Sequence, residues 1–267
     1  MRGSVRLLGL ALLAASGLAR SEDLRDLCAD RPGLGTPACT VDKGHAVLEL
    51  GLADWTRDDR GPVRTDTLIT GDTLLRYGVT GDTEVQIGWT ALGHVRVRDA
   101  SAGAIDRATA AGDVTLALRH NLHNPDGSGL SVALMPYASL PVGRSPVGRG
   151  DWGAGLIVPL SFDLGHGLAL AATPRIDAVV NGDGRGRHLG YGSVAGLQID
   201  LADHLSLAEE VSLYRDEDPD GHTTQALDGL ALAWQAGKNS QWDLGGVLGL
   251  NRDSPDVALS IGYAARF

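Results

Sequence analysis

Large aromatic side chains are scarce in this sequence, which has only 2 Phe among its 267 residues against 37 Gly. A soluble domain of that length fills its interior with bulky apolar groups, so the shortage counts against a packed apolar core. A chain that encloses water needs no such core. Lysine occurs only at Lys43 and Lys238, and the formal net charge is −10. No basic stripe exists for a nucleic-acid partner. Long apolar runs are also missing, since no stretch approaches the roughly 20 residues of a membrane-crossing helix. Any crossing is left to strands. Cysteine is confined to Cys28 and Cys39, in a segment rich in Pro and Gly. In an oxidising compartment they would form a disulfide closing a short loop; two free thiols are the alternative.

Residues 1–19 read as a secretory leader. Arg2 and Arg6 give the positive start, Leu7 to Ala15 the apolar run, and Gly17, Leu18 and Ala19 the cleavage site. Residues 20–43 are then expected to form a short N-terminal periplasmic segment carrying the cysteine pair, and residues 44–267 the folded domain. Neither cysteine directly follows the apolar run, which argues against a lipid anchor.

The last stretch, Asp256 to Phe267, sets the pattern for that domain. Val257, Leu259, Ile261, Tyr263, Ala265 and Phe267 share one parity, while Ala258, Ser260, Gly262, Ala264 and Arg266 share the other. This is the period-two alternation of a strand with one apolar face. The same alternation recurs from Gly44 onward in twelve segments, each about long enough to cross a bilayer at a tilt. Tight turns such as Gly78–Gly81, Asn124–Gly127 and Ala236–Asn239 follow the even strands. Longer, charged connections follow the odd ones: Thr56–Arg64, Arg96–Ala110, Gly143–Gly150, Asn181–His188 and Arg215–Thr223. The fold predicted is all-β, a transmembrane antiparallel β-barrel of about twelve strands with both termini on the short-turn rim.

A soluble lipocalin-like barrel or a β-sandwich shares the alternation. The leader, the unequal rims, the terminal Phe267 and a second face of small and charged residues favour the membrane barrel. Tyr77, Trp89, Trp234, Trp242, Tyr263 and Phe267 fall where an interfacial aromatic girdle belongs. Two places conflict with the scheme. Glu209 and Glu210 are adjacent, so one shares parity with the lipid-facing set, and Asp228 does the same. A bulge at Gly229 would turn Asp228 inward.

Asp30-Arg31-Pro32-Gly33, Gly44 to Glu49, and Thr73 to Val85 carry a further pattern, in which the Leu75-Arg76-Tyr77-Gly78-Val79 hairpin is the most distinctive part. In these residues the chain resembles the "transporter" family of outer-membrane proteins linked to the meta-cleavage pathway of phenol degradation. The resemblance implies an outer-membrane channel or uptake protein for small, often aromatic, solutes.

With the polar parity facing inward, the lumen-lining candidates are Glu49, Asp72, Arg76, Glu84, Gln86, Asp113, Arg119, Arg175, Asp177, Glu210 and Arg266, joined by Gln198, Asp200 and Asp243. Charges of both signs can orient a dipolar solute; equally, Arg76 and Glu84 can cross-link the two strands of one hairpin. Arg76, Arg119 and Arg175 are expected to favour a carboxylate or phenolate, with Leu74 and Met135 accepting a ring. The N-terminal segment and the lining side chains can also partly fill so narrow a barrel. The eight histidines form no Ser-centred or metal motif, so neither catalysis, nor a cofactor, nor a metal is expected. A structural or adhesive barrel, or a phospholipase-like enzyme, are the alternatives. The expected partners are outer-membrane lipid and lipopolysaccharide, the barrel-assembly machinery through the strand ending at Phe267, and a small-molecule solute. The expected location is the outer membrane of a Gram-negative bacterium.

Overall fold

The computed structural model describes residues 24–267, so the leader expected over 1–19 lies outside the described residues. The alternating sequence folds into strands β1 (Ala46–Arg60), β2 (Val63–Gly78), β3 (Thr83–Asp99), β4 (Ala104–Ala110), β5 (Val114–His123), β6 (Leu130–Leu140) and β7 (Gly153–Ile157). These are followed by β8 (Leu160–Gly165), β9 (Leu168–Val180), β10 (Arg187–Ala202), β11 (Leu205–Asp216), β12 (Thr223–Gln235), β13 (Ser240–Gly249) and β14 (Val257–Arg266). All pair antiparallel, and β14 returns to β1 from Val47↔Arg266 to Arg57↔Val257. That pairing closes the cylinder, while β4, beyond the closed wall, pairs with β3 alone.

The fourteen segments described occupy twelve wall positions. β4 and β5 both pair with β3, and β7 and β8 both lie between β6 and β9. The second break falls at Val158-Pro159, where proline has no N–H to give to the ladder.

The parity of the sequence becomes the two faces of the wall. Leu75, Tyr77, Ile87, Trp89, Leu230, Leu244 and Leu259 are exposed on the outside, whereas Glu49, Arg76, Glu84, Arg119 and Asp243 are buried inside. Each exposed Leu or Ile forgoes about 1.5–3 kcal/mol if it stays in water. A bilayer around the wall removes that penalty, so the solvent of this barrel is lipid.

Two stretches expected as loops are largely strand. β1 and β2 pair out to Arg60↔Val63, and β3 and β4 out to Asp99↔Ala104, through the charged residues of 56–64 and 96–110. Charge hid the strands because both faces are polar there. Asp66 draws in Arg64 at 2.8 Å, Arg96 at 3.7 Å and Arg57 at 3.8 Å, which ties three strands together. Gly61, at φ +63°, allows the chain to reverse within two residues. Residues 181–186 and 217–222 lie between strands, as expected of connections.

No bulge at Gly229 turns Asp228 inward. Glu210↔Gly229 and Val211↔Asp228 pair without a register shift, so Glu209 and Asp228 stay on the outer wall.

Candidate functional site

Residues 24–43 do not hang outside the barrel; they cross its lumen. Cys28 and Cys39 are bonded, and the loop they close is held by inward-facing side chains of the wall. Little of the grip is apolar, with Leu27, Val41 and Val47 forming one small buried cluster. Most of it is charge-assisted hydrogen bonding. Such bonds contribute about 1.5–3 kcal/mol each, more than neutral ones.

On one side of the lumen, strands β1 to β6 supply large polar groups. Arg76 on β2 is fully buried and donates to Glu84 at 2.9 and 3.1 Å, to Glu49 at 3.1 Å, and to the Cys28 carbonyl at 2.6 Å. Arg119 on β5, also fully buried, donates to Asp30 at 2.7 and 2.8 Å and to the Cys39 carbonyl at 3.1 Å. Glu49 in turn accepts the Asp30 and Arg31 N–H groups, and Glu84 that of Val41. Three carboxylates thus face two guanidiniums, with plug N–H groups taking up the excess negative charge. Asn121 donates to the Ala38 carbonyl at 2.8 Å, and Gln86 to Glu84 at 2.6 Å. Near the short-turn rim, Arg266 donates to the Arg25 carbonyl and pairs with Asp42.

The other side, β9 to β13, is lined by small groups such as Ala171, Thr173, Gly196, Ala208, Ala231 and Ala233, and stays partly open. Three cavities follow one another along it. The upper one, about 480 Å³, lies toward the long-loop rim and reaches Thr36 and Thr173. A middle one of about 240 Å³ shares those two residues. It shares Leu27, Gln198, Ser206 and Gln235 with a lower one of about 490 Å³ at the short-turn rim, where Asp200 lies. Between the upper and middle cavities the plug tip touches the wall. Gly35 N–H donates to Glu210 at 3.1 Å and Leu34 N–H at 2.5 Å, and Thr36 exchanges two bonds with Thr173 at 3.1 and 3.2 Å. A Cβ at Gly33 would come within 2.7 Å of the Glu210 carboxylate, so any larger residue there would push that side chain from its place at the tip.

Arg175 borders the upper cavity. Its guanidinium lies over the rings of Tyr137 and Tyr214, at 5.8 and 5.4 Å, and bonds Asp177 at 2.8 Å. Both tyrosine hydroxyls donate to Asp177, at 2.5 and 2.9 Å. The group is neutral as a whole and presents aromatic edges and hydroxyls. The connection between β6 and β7 folds into the barrel above it. Asp113 accepts the Gly143 and Arg149 N–H groups at 3.0 and 2.7 Å, while Val147 lies against Gly93.

The expected lining residues therefore sort by location. Glu49, Arg76, Glu84, Arg119, Glu210 and Arg266 hold the plug, and Gln86 supports Glu84. Asp72 accepts from Thr90 at 2.7 Å, Asp113 ties down the infolded connection, and Asp243 is 3.3 Å from Arg31 of the plug. Only Arg175 and Asp177 border the upper cavity. Arg76 and Arg119 are fully buried and already paired with Glu49, Glu84 and Asp30, so neither is open to an anionic solute. Met135 packs over Arg119, with its sulfur 3.6 Å from the guanidinium, and does not face the open side. Tyr137, Tyr214, Thr173, Asn121 and Gln241 were missed, although each has the inward parity. Inward parity was their only cue, as it was for Gln86 and Gln198, and no charge set them apart from the rest of the wall.

Solved structures share the architecture at low identity. The NanC porin superposes with a TM-score of 0.52 at 10% identity, covering 82% of this chain and 98% of that one. The translocator domain of the autotransporter NalP from Neisseria meningitidis gives 0.51 at 14% identity, over 89% and 90%. The β domain of the Bordetella autotransporter BrkA gives 0.51 at 13%, over 85% and 100%. These likenesses carry the fold. No curated relative matches the chain in sequence. The sequence model described as "Putative MetA-pathway of phenol degradation" matches residues 29–267, from the plug to the last strand, and the chain belongs to that family.

Proposed function

We propose that the protein is an outer-membrane uptake channel for small solutes, gated by its own N-terminal plug. The observation that carries this reading is the row of three cavities along β9 to β13, with Leu34, Gly35 and Thr36 of the plug tip meeting Glu210 and Thr173 between the upper and the middle one. Opening requires the tip to move, while the rest of the plug stays held by Arg76 and Arg119. The long-loop rim faces the outside of the cell, so solute enters the cavity bordered by Arg175, Tyr137 and Tyr214. Because that group is charge-balanced, the favoured solute is a small neutral ring compound bearing hydroxyls, in keeping with the phenol-linked family. Lipopolysaccharide surrounds the outer half of the wall, and the strand ending at Phe267 is what the barrel-assembly machinery engages.

Liposome swelling with purified protein tests this. Phenol-like neutral solutes should enter faster than benzoate-like anions of similar size. Entry of neither solute would leave a structural barrel; hydrolysis of the liposome lipid would point to an enzyme.

A further inference from the structure

At the mouth of the upper cavity stands a cluster that the channel does not use. His188 begins β10 on its inward face, Asp216 ends β11, and Asp218 lies in the connection to β12. Register brings them together, because Gly190 pairs with Asp216 and His188 stands two residues before it on the same face. His188 Nε2 is 2.7 Å from Asp216 Oδ1, and Nδ1 is 3.5 Å from Asp218 Oδ2. One potential donor atom from each residue falls within 4.8 Å of the others.

Two observations point to a cation among them. Only 5% of the His188 side chain is exposed, yet Nε2 makes no aligned hydrogen bond: the Asp216 oxygen is near, but off the line of the ring N–H. A buried nitrogen in that state calls for a partner. Donors gathered around one ion sit about this close without pointing at each other. Charge is the second observation. Among the described residues, Asp216 and Asp218 form ion pairs only with His188, their other partners being backbone N–H groups, whereas nearby Asp151, Asp177 and Glu217 each hold an arginine. Even a protonated His188 offsets just one of the two negative charges.

We propose that His188, Asp216 and Asp218 bind one divalent first-row transition-metal ion of the Zn²⁺ type. One imidazole nitrogen with two carboxylate oxygens is a mixed N/O set that suits such ions. With tetrahedral bonds of about 2.1 Å, donors around one ion are about 3.4 Å apart, so the span closes with a loop movement on the order of 1 Å. The ion would tie together the β9–β10 and β11–β12 connections, where Gly182 N–H already donates to Asp218 Oδ2 at 2.6 Å. It would thereby fix the shape of the cavity mouth that Asp216 lines.

The test is calorimetric titration of chelator-stripped, folded full-length protein with Zn²⁺, with metal content measured by mass spectrometry. One Zn²⁺ per chain is expected. His188→Ala and Asp218→Asn should each weaken binding by more than about 100-fold, beyond the roughly 10–100-fold cost of losing an outer-shell partner. His94→Ala, on β3, should bind as the native chain does. Heat-dependent gel mobility establishes that each variant is folded, and Asp218→Asn, in a connection, carries the test if His188→Ala is not. Absence of Zn²⁺ uptake by the native protein, or uptake that both variants retain, overturns the proposal.

Discussion

Replacing Glu210 by glutamine should loosen the plug tip without disturbing the barrel. Glu210 is 8% exposed and accepts the N–H groups of Leu34 and Gly35, one on each carboxylate oxygen. Glutamine keeps one acceptor oxygen and turns an NH₂ group toward the second N–H, so one bond is lost and the other is no longer charge-assisted. The expected loss is roughly 1.5–3 kcal/mol. Every 1.4 kcal/mol is tenfold, so the open population should rise about 10–100-fold. The contacts of Arg76, Arg119 and Asn121 with the rest of the plug are untouched, and opening should remain confined to residues 34–36. Single-channel recording in planar bilayers reads the open probability directly. Unchanged or lowered open probability, in a variant that still shows heat-dependent gel mobility, would refute the gate assigned to Glu210.

Arg76→Met should cost more and act on the fold. It leaves Glu49 and Glu84 buried without their main partner, a change that costs about 3–5 kcal/mol in buried pairs, and the unfolding temperature of the detergent-solubilised barrel should fall. Breaking the Cys28–Cys39 link with reductant should act on the plug alone. An eleven-residue closure contributes roughly 3 kcal/mol through chain entropy, so residues 24–43 should become open to protease while heat-dependent mobility persists. Single cysteines introduced as Asp59→Cys or Gly184→Cys, in a Cys28→Ser, Cys39→Ser background, should label in intact cells, and Gly127→Cys should not. Labelling of Gly127→Cys alone would reverse the topology.

Most of the wall was legible because period-two alternation needs only the contrast between lipid and water. Leu230, Leu244 and Leu259 announce the outer face, and Arg76, Glu84 and Arg119 the inner one. Where both faces meet water, the contrast vanishes, which is why Arg57, Asp66 and Arg96 concealed paired strands as apparent loops. The interior was harder to read. Alternation tells which way Arg76 points but not whether it meets a solute or the Cys28 carbonyl, because that depends on where a segment without alternation lies. The sequence cues to the plug were the Cys28 and Cys39 pair and the stretch Asp30-Arg31-Pro32-Gly33, neither of which says where the segment lies. Tyr137 and Tyr214 were invisible for another reason. Their pairing with Arg175 and Asp177 arises from strands distant in sequence, and no local spacing encodes it.

The central claim is that residues 24–43 close a path that the barrel otherwise provides. Planar-bilayer conductance of the complete folded chain, compared with one lacking those residues, tests it most directly. Rare, brief openings are expected for the complete chain and steady conductance for the shortened one, both with the gel mobility of a folded barrel. A shortened, folded barrel that conducts no better than the complete chain would contradict it.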